Sequence, residues 1–486
     1  MGIKDYHKWM KATYPCAFSN YWLPTYDNLY IDINFALHWS HYGAKSEADI
    51  FRRLFFFLDK IIAEIAPSSS IIIASDGQAP LAKLLLQRER RVTISKTMTP
   101  SELKTSTLIF TPGTTFMDSL KQKLKPYFAK IEHVYGVKTH YYIGCHGEAE
   151  LKIKRELMKN IDDDIATNVP NTHVIVSNDA DVIAMFGALD ESAYNRIFIF
   201  CDIKKPEIIS MGSLMHNHFK KYGNHINSGL DFTLISILLG NDYLPKLSYT
   251  NLDKLWDSYT YSINIHAQQI CTTTTNGRVN INIKLLISLM FDILMNTPSH
   301  FYKSYTYKYY TKDVQKYKNY MEWLIWCMDM YSVGECLRYD YMYNYSDPIN
   351  PYGFMTFLGS YERVANSIPR PVIKCIDKDL YAIIVLPIAA LELVPKQFRR
   401  FAEKHKDKLY EVELCETCVA YENRANDDNL SDFKKALASA MMINHKDGHH
   451  QLVASDIAEI ATLFEEWRDS RSTQLEQNTE DASDDE

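Results

Sequence analysis

Seven acidic residues of the chain stand at or near the ends of apolar or helix-like segments, where an α/β protein places ligand-binding groups. Asp32 lies in LYIDIN, Asp76 follows IIIAS, and Asp179 follows VIVSN. The carboxyl ends of parallel strands form one crevice, so acids that are distant in sequence converge there. The full set is Asp32, Asp76, Glu148, Glu150, Asp179, Asp181 and Asp242.

Carboxylates packed this closely repel one another unless cations neutralise them. Ligand sets made only of oxygen favour Mg²⁺, with Mn²⁺ as a substitute. We therefore expect two ions about 4 Å apart, the arrangement that serves phosphodiester hydrolysis. The alternative for any one of these acids is a cap on the helix that follows its strand. Two acids in DxD spacing and two in ExE spacing are harder to explain as caps.

A second constellation follows Asp76 in the segment DGQAPLAKLLLQRERR. On a helix, positions i, i+4, i+7 and i+8 share one face. Cations and an amide on one face, close to a metal ligand, suit the capture of a phosphate group. The alternative is a solvated basic helix face. The residues at these positions are Lys83, Gln87, Arg90 and Arg91.

Short apolar runs define the elements that must position these groups. Four runs show no polar alternation, which is typical of strands buried on both faces of a parallel sheet. They are Leu29–Ile33, Ile71–Ala74, Val174–Val176 and Ile197–Cys201. Leu234–Leu239 has helical spacing, and Glu47–Glu64 and Ala79–Arg91 are helix-like. We therefore predict an α/β domain over residues 1–250, with a mostly parallel sheet and helices on both faces.

The rest of the chain has a different character. Residues 251–465 predict a second, mostly helical region, and residues 466–486 predict an acidic, disordered tail. The net charge is −7, but six acids and no base lie in residues 475–486, so the remainder is close to neutral. That balance leaves nucleic acid open as a partner.

The expected compartment is intracellular. No secretory signal opens the chain, its apolar runs are far shorter than a membrane span, and nine cysteines do not make a disulfide scaffold at this length. We expect a cytoplasmic protein without a membrane partner, with the nucleus left open.

Cysteine and histidine residues near the carboxyl end raise the question of zinc. Cys415 and Cys418 form one CxxC pair, and His445, His449 and His450 follow far downstream. Zinc needs a compact set of four ligands with regular spacing. Because of the long interval between the two groups, we do not expect a zinc site here.

Several motifs occur together in a fixed order. The chain opens with MGIKDYHKWMKATYP, and NLYIDINFALH, ASDGQAPLAKLLLQRERR, FTPGTTFM, GEAELKI, SNDADVIAM and LLGNDYLP follow. Later come YMEWLIWCMDMYSVGEC and VLPIAALELVP. In these motifs, which run through most of residues 1–395, the sequence resembles the Xrn-type 5′→3′ exoribonucleases. The resemblance implies a 5′-nuclease or PIN-like core, with the helical second region bracing the active site.

The resemblance also implies roles for individual residues. The seven acids match the catalytic metal ligands of the family. Lys83, Gln87, Arg90 and Arg91 match its pocket for a 5′-monophosphate, and Lys83 is also expected to be catalytic. His38 matches the imidazole that stacks on the first base, and Asn34 lies with it in the first catalytic segment. Pro80 falls where the family narrows the entrance against duplexes.

The chain departs from the family pattern at three places. Lys4 replaces a proline, and Thr115 replaces a glutamate. The tryptophan that stacks opposite the histidine is missing from LRYDYMY, so we expect Tyr339 or Tyr341 to take its place.

The motifs therefore predict a Mg²⁺-dependent, processive 5′→3′ exoribonuclease. Its substrate would be decapped single-stranded RNA with a 5′-monophosphate, degraded to mononucleotides in mRNA decay, with the decapping machinery as a candidate partner. One alternative is a flap-endonuclease-type DNA nuclease, which is disfavoured because residues 241–260 contain no glycine. The other is a non-catalytic RNA-binding scaffold on a nuclease fold, which would predict lost carboxylates.

Overall fold

The computed structural model of the chain describes residues 3–20, 25–202, 207–222, 228–274, 277–297, 307–341, 347–361, 372–449 and 452–483. These residues form two compact units. The first, here called the sheet unit, comprises Met1–Ala44, Ala48–Lys83 and Lys123–Lys374. The second, here called the helical unit, comprises Lys45–Glu47, Leu84–Gln122 and Cys375–Glu486.

The sheet unit is built on a seven-stranded sheet. Its strands are β1 (Phe18–Ser19), β2 (Asn28–Asp32), β3 (Ser70–Ala74), β4 (Lys138–Tyr142), β5 (His173–Val176), β6 (Ile197–Asp202) and β7 (Glu207–Ser210). Their order across the sheet is β1-β7-β6-β5-β2-β3-β4. Strands β6, β5, β2, β3 and β4 are parallel, whereas β7 and β1 add to the β6 edge in antiparallel pairing. A short hairpin, β8 (Cys271–Thr273) and β9 (Val279–Ile281), forms a separate sheet.

Twenty helices accompany the strands over the described residues. The first ten are α1 (Tyr6–Thr13), α2 (Ile33–His41), α3 (Glu47–Ile65), α4 (Leu81–Ser95), α5 (Pro100–Leu103), α6 (Thr115–Tyr135), α7 (Ala149–Thr167), α8 (Asp181–Gly187), α9 (Met211–Tyr222) and α10 (Gly229–Ile237). The other ten are α11 (Leu252–His266), α12 (Ile283–Met295), α13 (Tyr307–Val333), α14 (Pro351–Tyr361), α15 (Lys378–Val385), α16 (Lys396–Lys404), α17 (Lys406–Leu414), α18 (Glu416–Ala425), α19 (Asp432–Asp447) and α20 (Ala454–Ser483).

The predicted mostly parallel sheet is confirmed. All residues of β2, β3 and β5 are buried, which is why their sequences are continuous apolar runs rather than alternating ones. The sequence missed β4, because its residues KTHYY are partly exposed and contain no apolar run. The helical segment at Leu234–Leu239 is confirmed in α10, and Glu47–Glu64 is confirmed in α3.

The last helix differs from the prediction for the carboxyl end. Helix α20 extends to Ser483, so the predicted disorder from residue 466 is replaced by helix in the structure. Its first turns are anchored, because Ile457, Ile460 and Phe464 are buried at helical spacing. Within the described residues, no helix combines the length and the apolar character needed to cross a membrane.

Two loops at the carboxyl edge of the sheet are joined by backbone hydrogen bonds. The N–H of Gly77 donates to the carbonyl of Gly147 at 2.8 Å, and the N–H of Gly147 donates to the carbonyl of Gln78 at 3.0 Å. The loops approach so closely that a Cβ on Gly77 would lie 1.8 Å from the carbonyl oxygen of Cys145. Only glycine fits here. The contact fixes the residue after β3 next to the start of α7.

We expect Gly77→Ala to destabilise the protein, because the added methyl group meets rigid backbone rather than a side chain that can move. Overpacking of this kind costs about 1–3 kcal/mol, and backbone contact places the change at the upper end of that range. Urea denaturation measures the change in the free energy of unfolding. Gly359→Ala in α14 is the control, because its Cβ would meet no atom within 4 Å. An equal and small effect of both substitutions would contradict the close approach.

Candidate active site

Three adjacent strands bring four of the predicted acids to one edge of the sheet. Asp32 is the last residue of β2, Asp76 follows β3, and Asp179 and Asp181 follow β5. Strand β2 lies between β3 and β5. The charges of Asp76 and Asp179 both act on Asp32, and Asp179 acts on Asp181. The structure therefore brings these acids together as the strand order requires.

Helices supply the other three acids. Glu148 is the N-cap residue of α7, and Glu150 lies in the first turn of that helix. The N–H of Ala149 donates to Oδ1 of Asp76 at 3.1 Å, which ties the helix start to the residue after β3. Asp242 follows α10, and its charge reaches Asp181 and Glu148. All seven acids thus form one group, here called the acidic cluster.

Lys83 lies inside the acidic cluster. Its Nζ forms an ion pair with Glu148 and lies 3.5 Å from Oδ2 of Asp242. Burial alone would lower the pKa of Lys83, but the surrounding carboxylates outweigh it and raise that pKa well above its usual value. The side chain is therefore a permanent positive charge. The sequence analysis placed Lys83 in the phosphate pocket. In the structure, the ion-pair partners of Lys83 are the carboxylates of Glu148 and Asp242.

Burial and mutual repulsion shape the electrostatics of the acidic cluster. Burial, then the charge of Asp76, raises the pKa of Asp32 to about 8. Burial, then Asp179, raises the pKa of Asp181 to about 8. The pKa of Glu148 rises to about 7 through burial, although Lys83 opposes the shift. Burial and Glu148 raise the pKa of Glu150 well above its ordinary value.

The donor set of the acidic cluster fits divalent cations. The acidic cluster holds seven carboxylates, and the ammonium group of Lys83 pairs with two of them, so the cluster carries an excess of negative charge in a buried place. All the ligands are oxygen atoms, which suits hard cations such as Mg²⁺ or Mn²⁺ better than zinc or copper. The excess negative charge and the oxygen-only chemistry both point to metal binding.

Several neighbours that the sequence did not identify hold the acids in place. Oδ1 of Asp181 accepts a hydrogen bond from the N–H of Ile3 at 2.8 Å, and the hydroxyl of Tyr331 lies 3.5 Å from Oδ2. The hydroxyl of Ser177 lies 3.5 Å from Oδ2 of Asp32. Asn34 accepts from the N–H of Asp76 at 3.4 Å, so its place in the first catalytic segment is a positioning one in this structure.

Two buried lysines of α7 donate hydrogen bonds to backbone carbonyls near the acids. Nζ of Lys152 donates to the carbonyls of Ser75 at 2.6 Å and Cys145 at 2.8 Å. Lys154 donates to the carbonyl of Met185 at 2.8 Å, and burial lowers its pKa to about 7. Nothing in GEAELKIKRE distinguishes these lysines from solvated ones, so the sequence carried no signal for them.

The remaining residues of the predicted phosphate pocket lie on α4, in the part of that helix that belongs to the helical unit. Oε1 of Gln87 accepts a hydrogen bond from the hydroxyl of Tyr381 at 2.5 Å. Nε of Arg91 donates to Oγ1 of Thr111 at 2.8 Å, and its Nη1 donates to the carbonyl of Gln87 at 3.2 Å. Arg90 is half-buried on the same helix. A single helix therefore carries all three residues at the predicted spacing.

The predicted base-stacking residues have different surroundings. His38 is exposed on α2, as a residue that meets a base must be. Tyr339 is buried, and its ring packs edge-on against His146. The ring of Tyr341 stacks on Trp326, with 5.5 Å between centroids and 6° between planes, and the Arg338 guanidinium lies 4.8 Å from it. The choice between the two tyrosines stays a prediction.

The segment that carries these tyrosines also anchors the start of α4. The N–H of Leu81 donates to the carbonyl of Tyr339 at 2.9 Å, and that of Ala82 donates to the carbonyl of Tyr341 at 3.0 Å. These bonds satisfy amide groups that a helix start leaves unpaired. Pro80 is buried just before the helix, and α4 begins at Leu81 rather than at the predicted Ala79, since a residue before proline disfavours helical dihedrals.

The long sequence interval does not keep the cysteine and histidine pairs apart, as the argument against a zinc site assumed. Cys415, Cys418, His445 and His449 do form a compact set, with their ligand atoms all within 4.8 Å of one another. Helices α18 and α19 fold back on each other and close the interval that separates the two pairs in sequence. His450 lies outside the described residues.

Comparisons with known proteins agree with the family resemblance seen in the sequence motifs. Residues 1–198 match the family described as XRN 5′-3′ exonuclease N-terminus. The human protein named 5′-3′ exoribonuclease 1 is 28% identical over 310 residues, which cover 52% of this chain and 18% of the relative. The Gallus gallus protein named 5′-3′ exoribonuclease 2 is 28% identical over 275 residues, which cover 46% of this chain and 28% of the relative. The chain thus spans less than a third of the length of these relatives.

A solved structure titled "The catalytic core of Rad2 in complex with DNA substrate (complex IV)" also matches. It is 12% identical, with a TM-score of 0.36, and the match covers 76% of this chain and 96% of that one. A likeness at this score supports no conclusion about substrate or activity.

A mostly parallel sheet with acids gathered at its carboxyl edge defines the class of this protein as an α/β nuclease-type domain. More particularly, residues 1–198 resemble the amino-terminal region of the XRN 5′-3′ exonucleases, and about half of the chain is similar to relatives named 5′-3′ exoribonuclease.

Above pH 8, where the Asp32 carboxyl group is charged, we expect Asp32→Asn to raise the melting temperature of the metal-free protein by about 2–6 °C, because it removes one repelling charge. The amide oxygen can still accept from the N–H of Asn34, as the carboxylate does at 2.9 Å. The rise in melting temperature on adding Mg²⁺ should be smaller in the variant. Thermal unfolding with and without Mg²⁺ measures both effects.

Asp190→Asn is the matched control. Asp190 accepts from the N–H of Ser192 at 2.8 Å in the same local geometry, but it lies outside the acidic cluster. A fall in stability for both variants, with unchanged Mg²⁺ response in Asp32→Asn, would contradict the electrostatic description of the site.

Proposed function

We propose that the protein is a 5′→3′ exoribonuclease that degrades single-stranded RNA with a 5′-monophosphate to mononucleotides, with Mg²⁺ as its cofactor. The observation that carries the proposal is the acidic cluster, complete in all seven residues, around the ion pair of Lys83 with Glu148. Relatives named 5′-3′ exoribonuclease support the direction of cleavage and the choice of RNA.

The carboxylates of the acidic cluster would hold the divalent cations. When bound, these cations supply countercharge for the leaving oxygen and lower the pKa of a water molecule. The neighbours of the acids fix their orientation before substrate arrives. The N–H groups of Ile3, Asn34 and Ala149 each donate to a different carboxylate at 2.8, 2.9 and 3.1 Å. Such prior positioning is what makes a ligand cage effective.

Lys83 contributes a fixed positive charge beside the ligands. Its Nζ lies between Glu148 and Asp242, and the raised pKa keeps it protonated throughout the physiological range. In the proposed reaction, this ammonium group stabilises the negative charge that develops on the scissile phosphate. It also bridges the two carboxylates by pairing with both, which offsets their mutual repulsion.

Recognition of the RNA end is assigned to α4. Gln87, Arg90 and Arg91 present an amide and two guanidinium groups at positions that share one helix face. Guanidinium groups bind phosphate oxygens in bidentate fashion and carry a permanent charge. The hydrogen bond from Tyr381 fixes the Gln87 amide, and the bond to Thr111 orients Arg91. His38 would stack on the first base, with Tyr339 or Tyr341 as the second aromatic partner.

The cellular role is part of the same proposal. The protein would act in the cytoplasm on decapped mRNA, with RNA supplied by the decapping machinery. All nine cysteines are free thiols in the structure, which fits a reducing compartment.

The substrate assignment is tested with one single-stranded RNA that carries a 5′-monophosphate, a 5′-hydroxyl or a 5′-triphosphate. We expect the monophosphate form to be degraded fastest, with mononucleotide products, and EDTA to stop the reaction. The double variant Asp179→Ala with Asp181→Ala should lose cleavage and keep RNA binding. Equal rates on all three ends, activity that survives EDTA, or faster cleavage of DNA flaps would each overturn the proposal.

The phosphate assignment is tested separately with Arg90→Ala. Loss of a charged hydrogen bond is worth about 1.5–3 kcal/mol, so the preference for monophosphate over hydroxyl should fall about 10- to 100-fold. The ratio of kcat/KM values for the two RNAs measures it. Arg52→Ala, which removes an exposed arginine of α3, is the control and should leave the ratio unchanged. A ratio that stays the same in Arg90→Ala would refute the role of this residue.

A further inference from the structure

Four potential metal ligands meet in the helical unit, and none of them is assigned to the nuclease reaction. Cys415 lies between α17 and α18, and Cys418 lies in the first turn of α18. His445 lies in the last turn of α19, and His449 follows that helix. Cys418 is buried, and the other three are half-buried. The turn between the helices brings the two pairs side by side.

The distances within this group fit a tetrahedral metal site. Sγ of Cys415 lies 3.4 Å from Nε2 of His445, and Sγ of Cys418 lies 3.5 Å from Nε2 of His449. With metal bonds of about 2.3 Å to sulfur and 2.0–2.1 Å to nitrogen, ligands at tetrahedral angles are about 3.6 Å apart. All four ligand atoms lie within 4.8 Å of one another. A single small ion can therefore reach all of them with little movement.

The surroundings of the ligands are those of a metal site. Nδ1 of His449 lies 3.2 Å from Oε1 of Glu411, which leaves Nε2 free to bind a metal. A carboxylate on the far nitrogen of a ligand histidine orients the ring and strengthens it as a ligand. The backbone N–H groups of Cys418 and Thr417 hydrogen-bond to Cys415, which favours the thiolate, the form that binds metal.

The pair of helices has little apolar core of its own. Among the described side chains of residues 415–449, Cys418 and Ala438 are the ones that are buried. Phe433, Leu437 and Ile443 of α19 are exposed. Small helical elements with so little buried apolar surface usually need a disulfide or a structural metal. The two cysteines are free, so a metal is the remaining cross-link.

We propose that Cys415, Cys418, His445 and His449 bind one structural Zn²⁺ that holds α18 against α19. Binding of the ion releases the two thiol protons to the buffer and forms two zinc–sulfur and two zinc–nitrogen bonds. Four protein ligands leave no open position for water or substrate, so the site is structural rather than catalytic. It is distinct from the all-oxygen acidic cluster, and its existence does not depend on the proposed nuclease function.

The test begins with the full-length protein, purified under reducing conditions and dialysed against metal-free buffer. We expect one zinc ion per chain by elemental analysis, released by a strong chelator with loss of helical circular dichroism. Replacement by Co²⁺ should give the visible absorption of tetrahedral cobalt with thiolate ligands. Absence of zinc, or a Cys415–Cys418 disulfide in protein kept reduced, would overturn the proposal.

Variants then identify the ligands. Cys415→Ser and His449→Gln should each lose zinc, whereas Cys375→Ser, which replaces another half-buried cysteine of the helical unit, should keep it. Glu411→Gln should bind zinc about 10- to 100-fold more weakly while retaining the cobalt spectrum. If a ligand variant does not fold, chelator titration of the wild-type protein still decides the outcome. Full zinc content in both ligand variants would refute the assignment.

Discussion

The repulsion among seven carboxylates at one edge of the sheet is the constraint on which the rest of the sheet unit depends. Burial makes each charge more costly, and the raised pKa values of Asp32 and Asp181 record that cost. Such an arrangement persists only if the surrounding fold determines it fully. Buried parallel strands, the lysine between two acids, and the paired glycine loops all serve that purpose. Cations bound among the carboxylates would relieve this repulsion.

The sheet and the acids could be predicted because their signals are local. A parallel strand buried on both faces must be a continuous apolar run, and an acid directly after it must lie at the carboxyl edge. The edge strand β4 was not predicted because its side chains are partly exposed. Strand β7 was not predicted because it pairs antiparallel with β6, and such pairing cannot be inferred from a single segment. The positions of Lys152 and Lys154 depend on what packs above α7, which only the assembled fold determines.

The cysteine and histidine group also could not be predicted from local sequence signals. Each pair has ligand spacing by itself, a CxxC and an HxxxH, yet the sequence separation argued against their joining. A helical hairpin cancels sequence separation, because its two ends lie together whatever its length. The turn between α18 and α19 brings the two pairs together, and the geometry of this turn cannot be inferred from the intervals between cysteines and histidines.

The hydrogen bond from the N–H of Ile3 to Asp181 has a practical consequence for anyone who produces this protein. A peptide fused just ahead of Ile3 would be joined to a segment that contacts a carboxylate of the acidic cluster. A polyhistidine tag at that end would place imidazole groups, which bind metals themselves, where they compete for the same ions. Purification handles and fluorescent labels therefore belong away from this segment.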